Sequence, residues 1–251
     1  MHSTQSAPDH SGVTSWLQRQ ARIQRFAGLT LAASITPKAY DAATRGAVAQ
    51  ALCAAAWQTL PGYFLASILL GGVLTHVFAV TAASYGLSHL ALEAVVRLYV
   101  MELLPLAAAL FVALRAIPAT LLRLLRILPT PARQPTGEVV AYFVGNFTAV
   151  WVLATVSSVA TLVVAYPVLH GATFWAVDAY ARVVGQVFSP LAAAGLAIKL
   201  LCFSGAVALV PLALLADTAP RDRGAAEVRA IARLLLFLVL IEGCSLALRI
   251  N

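Results

Sequence analysis

Long apolar runs separated by short, arginine-bearing polar stretches set the organisation of this chain. Residues 47–83 and 139–165 contain no charged side chain, and 98–121, 187–215 and 231–248 contain one or two each. A helix crosses a bilayer with about 20 apolar residues, so every run is long enough to span. No alternating pattern of about ten residues marks a transmembrane barrel. The pattern predicts an all-α integral membrane protein with five transmembrane helices. The first run exceeds one span, and Pro61-Gly62 divides it into a membrane elbow over 47–60 and span 1 over 63–83. Spans 2 to 5 are then 98–121, 139–165, 187–215 and 231–248, the fourth punctuated by Pro190, Gly195, Gly205 and Pro211. Gly71-Gly72 in span 1 suits close approach of a neighbouring helix.

Upstream of the spans the pattern changes. Residues 1–15 are polar and are expected to be a disordered tail, without the basic-then-apolar order of a cleaved signal peptide. Residues 16–31 interleave Arg19, Arg22 and Arg25 with Trp16, Leu17, Ile23, Phe26 and Leu29, which predicts a helix lying at the membrane surface. Arg19 shares a sector with Trp16, Ile23 and Phe26, so a plain basic tail is the competing reading. Residues 16–251 read as one domain.

Composition agrees with this picture. The 251 residues are 61% hydrophobic and 11% charged, with mean hydropathy +0.87, against about a quarter charged in soluble domains. The net charge of +7 does not imply nucleic acid, because the basic residues alternate between loops. They precede span 1, follow span 2 at Arg123, Arg126 and Arg133, and precede span 5 at Arg221, Arg223 and Arg229, while the other loops hold Arg97, Arg182 and Arg249. The positive-inside rule then puts the N-terminus inside and the C-terminus outside. Cys53, Cys202 and Cys244 lie in apolar surroundings and are expected to be buried free thiols. The Asn-x-Thr at Asn146 falls inside span 3, where no glycan is added.

Chemistry concentrates in the few intramembrane charges. An ionised side chain at the centre of a span costs about 2.5–3.5 kcal/mol on insertion scales, which singles out Glu102, Lys199 and Glu242. With the orientation above they lie roughly 16, 17 and 12 residues from the cytoplasmic ends of their helices, counted at the helical rise. One cluster can hold all three, and its leftover negative charge then calls for water or a polar ligand. The bland alternative is a bundle-stabilising Lys199–Glu242 pair, with Glu102 satisfied by backbone or water. No phosphate-cradling glycine loop, zinc motif or nucleophile elbow accompanies them, and the five histidines lack ligand spacing. No metal or cofactor is expected, and an intramembrane acid–base enzyme is the weakest reading.

The motifs around these charges resemble the MlaE (YrbE) family, permease subunits of bacterial ABC systems that move phospholipid between membranes. Glu102-Leu103-Leu104-Pro105 followed by Ala113-Leu114-Arg115-Ala116 is similar to that family's R-E-L-G-P…A-G-R-A-G signature. Leu60-Pro61, Gly195-Leu196-Ala197-Ile198-Lys199 with Phe203-Ser204-Gly205, and residues 224–233 with Glu242 extend the likeness. Met101, Leu104, Leu114 and Ile117 depart from the signature. The segment 121–135, which in the family carries acids and couples to the ATPase, here holds Arg123, Arg126 and Arg133 and no acid.

The resemblance implies a non-catalytic subunit, multi-pass in a bacterial inner membrane. Its implied partners are an ABC ATPase, an MCE-domain lipid-binding protein and a second permease copy, homo- or heterodimeric. Phospholipid would pass between the two copies, Glu102, Lys199 and Glu242 lining or bracing the path. Arg115, Arg123 and Arg126 would form the ATPase-coupling segment. The alternative is a diverged, non-transporting subunit that scaffolds or completes a heterodimer.

Overall fold

The computed structural model describes residues 10–36, 42–57, 59–87, 90–127, 137–171, 174–215 and 223–250, and among them every regular element is helical. Helix α1 is His10–Ile35, and α2 is Ala42–Leu52, continued by a π-helical turn at Cys53–Trp57. Next come α3 (Leu60–Ser84), a short α4 (Ala91–Ala94), a π-helical stretch Val95–Leu103 and α5 (Leu104–Ile127). Helix α6 is Gly137–His170, followed by a 3-10 turn Phe174–Ala176, α7 (Val177–Val187), α8 (Pro190–Leu215) and α9 (Arg223–Ile250). Five stretches are long and apolar enough to cross a membrane: Thr44–Ser84, Ala91–Arg115, Gly137–His170, Pro190–Leu212 and Val228–Ala247. All-helical spanning follows from the medium, since hydrocarbon offers no partner to a free N–H or C=O.

Helix α6 is the hub, packed against α2, α3, α5 and α8, while α9 closes against α5 and α8. The shared core takes Ala108 and Val112 from α5, Val150 and Leu153 from α6, Phe203 and Val207 from α8, and Leu234 and Leu238 from α9. The second span is the most enclosed: 61% of an apolar 18-residue window within it is buried, against 17% of such a window in the first and last. Leu65, Leu69 and Val73 of α3 and Leu236, Val239 and Leu240 of α9 face outward. Such apolar outer faces are what lipid tails solvate.

Several hydroxyls inside the spans fold back on their own helices. Thr75 donates to the Gly71 carbonyl at 2.7 Å, Ser158 to Ala154 at 2.7 Å and Ser204 to Leu200 at 2.7 Å, so these three hydroxyls are paired within the helix. Asn146 is buried and its Nδ2 donates to the Tyr142 carbonyl at 3.0 Å, in keeping with an amide inside a span.

Several boundaries differ from the sequence-based expectation. The elbow starts at Ala42 and meets α3 at Thr59, with Pro61 in the first turn of α3, where a missing N–H costs little. Helix α8 runs unbroken through Gly195, Gly205 and Pro211, because packing on α6 and α9 overrides weak local propensity. Residue 187, taken as the start of span 4, belongs to α7 instead. That helix is amphipathic and too short to span, so hydropathy passes over it. Its Tyr180 donates to the Leu162 carbonyl at 2.7 Å, and burial pushes the phenol up to about 12.

The N-terminal helix starts at His10, inside the stretch expected to be disordered; residues 1–9 lie outside the described set. It docks through Phe26, buried among Val139, Tyr142, Phe143, Ala208 and Leu212 of α6 and α8, while Arg25 is exposed. The side chains of Trp16, Arg19 and Arg22 are outside the described residues. The three cysteines are free, as expected, but exposed rather than buried, because each sits on the outward side of its helix. Of Gly71-Gly72 only Gly71 makes a close approach. A Cβ there would stand 2.8 Å from Thr161 Cγ2 and 3.0 Å from Tyr99 Cε1, whereas one at Gly72 would meet nothing nearer than 3.7 Å.

Candidate functional site

Each of the three intramembrane charges lies on the buried stripe of its own helix. On α9 the stripe is Ala230, Leu234 and Leu238, and the next step of four is Glu242. On α8 the buried positions Leu200, Phe203, Ser204, Val207 and Ala208 follow Lys199 at helical spacing. Glu102 closes a run of buried residues through the π-helical stretch, after Tyr99, Val100 and Met101. Apolar neighbours at i±3 and i±4 turn each charge toward the core, so the same periodicity that builds the bundle brings the charges together.

Lys199 is the centre of the arrangement. Its ammonium donates to Glu102 Oε2 and to Glu242 Oε1 at 2.9 Å, and stands 2.8 Å from Glu242 Oε2 in the same ion pair. The ammonium also stands 5.6 Å from the Phe203 ring centroid, one helical turn along α8. The Lys199 side chain is 3% exposed, Glu102 9% and Glu242 18%, so Glu242 is the member most open to the surroundings. Two carboxylates share one ammonium, leaving the cluster formally negative. In a low-dielectric interior such a group persists only with close ion pairing, and Glu242 forms its more open edge. Among the described residues no group of His, Cys, Asp and Glu could hold a metal ion.

Of the remaining candidates, Arg115 does not join this cluster. Arg115 is exposed on α5, thirteen residues beyond Glu102 on the same span and so roughly 20 Å away along the axis at 1.5 Å per residue. The side chains of Arg123 and Arg126 are outside the described residues. Sequence reasoning did not single out two buried tyrosines beside the site. Tyr99 donates to the Ser67 carbonyl at 2.8 Å and Tyr63 to the Leu104 carbonyl at 3.0 Å. The available signal was Pro105, which removes a backbone donor in mid-span and so marks a place where other groups settle the backbone.

Residues 48–120 match the family model described as Permease MlaE. Over this segment the chain is similar to the MlaE permease family. No curated protein matches the chain. The MlaE segment runs from α2 through α3 and the π-helical stretch into α5. It contains Glu102, Tyr63, Tyr99 and Arg115, whereas Lys199 and Glu242 lie beyond it. The charge cluster therefore joins one residue of the MlaE segment to two from the rest of the bundle.

Proposed function

We propose that this chain is the membrane permease subunit of an ABC-type transporter that moves phospholipid between the inner and outer membranes. ATP is hydrolysed by a partner, an MCE-type protein receives or delivers the lipid, and a second permease copy completes the path. The observation that carries the reading is the MlaE segment on a five-span bundle, with its Glu102 ion-paired inside the membrane. The cluster of Glu102, Lys199 and Glu242 acts as the polar element of the lipid path, and Arg115, Arg123 and Arg126 face the ATPase. Isolation of the tagged chain from native membranes in mild detergent tests this. An ATPase subunit is expected to co-purify, with a hydrolysis rate that changes when this chain is removed. Recovery of no ATPase after gentle extraction would count against transport.

A second reading, a scaffold subunit that has lost coupling, is favoured by the acid-free segment 121–135 and by Leu104 and Leu114 where the signature has glycines. An ATPase that binds the chain but hydrolyses ATP independently of it would select this reading.

The proposed cycle needs the basic loops on the ATPase side, hence the N-terminus inside and the C-terminus outside. A C-terminal alkaline phosphatase fusion should be active, and a C-terminal green fluorescent protein fusion dark. The reverse pair of results would invert the topology and move Arg115, Arg123 and Arg126 away from any ATPase.

A further inference from the structure

The carboxylate of Glu102 reaches Lys199 from an unusual backbone. From Val95 to Leu103 the helix is π-helical, and the Leu104 N–H still donates to the Tyr99 carbonyl, five residues back. Pro105 has no N–H to continue that series, and the helix tightens to α from Leu104 onward. Each residue of an α-helix turns the chain by about 100°. A shift of one residue between the wide and the normal register would therefore swing Glu102 off Lys199, while Ala108, Ala109, Val112 and Ala113 of α5 kept their packing. Wide helical turns are uncommon and need support from outside the helix.

That support comes from two hydroxyls on either side of Glu102. Tyr99, three residues before it, donates to the Ser67 carbonyl of α3. Tyr63, one turn earlier than Ser67 on α3, donates to the carbonyl of Leu104, two residues after Glu102. Both phenols are buried, and Gly71 leaves room for the Tyr99 ring against α3. We propose that Tyr63 and Tyr99 are positioning residues: they fasten the π-helical stretch to α3 on both sides of Glu102 and so hold its carboxylate on Lys199. Their importance for transport rests on the reading of the charge cluster as part of the lipid path; their effect on the ion pair does not.

The chain has two lysines, Lys38 and Lys199, so the full-length protein labelled with 15Nζ-lysine in lipid nanodiscs shows two ammonium signals, and Lys199→Arg assigns them. Tyr63→Phe and Tyr99→Phe remove one oxygen each and keep the rings. The double variant is expected to shift or exchange-broaden the Lys199 signal, leave that of Lys38 in place, and slow vesicle-to-vesicle phospholipid transfer by the reconstituted complex at least fivefold. Gly145→Ala, which disturbs the α2–α6 contact away from the cluster, should leave the Lys199 signal unchanged below its melting temperature. An unmoved Lys199 signal in the double variant overturns the proposal, as does an equal shift in Gly145→Ala. A shifted signal with normal transfer upholds the positioning and instead removes the cluster from the lipid path. If the double variant does not accumulate, the two single variants carry the same comparison, each with a smaller shift expected.

Discussion

Lys199→Met is expected to be the most damaging single substitution in the charge cluster, lowering stability by about 3–5 kcal/mol, the range for stranding a buried charge. It leaves the Glu102 and Glu242 carboxylates facing each other with the shared ammonium gone. The order of effects follows from the count of charges. Glu102→Gln leaves Lys199 paired with Glu242, and Glu242→Gln leaves it paired with Glu102, so either variant holds a neutral pair and loses less. Neutralising all three positions, Lys199→Met with Glu102→Gln and Glu242→Gln, should recover most of the stability while lipid transfer stays lost. Unfolding midpoints of the purified protein in detergent measure the series, and transfer assays on the reconstituted complex separate stability from function. A Lys199→Met protein that melts with the wild type would show that the carboxylates do not depend on the ammonium. A Glu102→Gln protein less stable than Lys199→Met would show that the cluster is not built around Lys199.

The second large effect is steric. A Cβ on Gly145 of α6 would stand 2.9 Å from the Ala51 Cβ and 3.1 Å from the Ala51 carbonyl carbon. The obstructing atoms are backbone and the stub of an alanine, with no rotamer to give way, so α2 must retreat from α6. Gly145→Ala is expected to cost about 1–3 kcal/mol, the usual penalty of overpacking. Gly205→Ala is the control: a Cβ there meets nothing within 4 Å, and its effect should stay within about 0.5 kcal/mol. Comparing the two melting temperatures checks whether the elbow is held by close backbone contact. Equal melting temperatures would mean that α2 has room to move.

The chain made part of this site legible. Glu102, Lys199 and Glu242 stand out because charge is rare inside apolar runs, and on α9 the steps of four from Ala230 through Leu234 and Leu238 to Glu242 point that carboxylate inward. Arg115 was equally conspicuous, yet it lies far along the same helix, since conspicuousness in a hydropathy pattern reports cost and not location. Tyr63 and Tyr99 were silent because a tyrosine in an apolar run is an ordinary core residue. What makes them matter is a bond from each hydroxyl to a carbonyl on another span.

Run length and composition by themselves determined that this is a helical membrane protein with five spans and which residues are expensive inside it. That holds because a bilayer demands internally paired backbones and about 20 apolar residues per crossing, both of them local requirements. Only the tertiary structure decided that Lys199 meets Glu102, 97 residues away, and Glu242, 43 residues away. It also decided that the second span widens to a π-helix at Glu102, that α8 runs straight through Pro211, and that a surface helix precedes it at Val177–Val187. The direction a side chain takes around a helix depends on backbone register and on what packs beside it, and neither is written in the hydropathy of the helix that carries it.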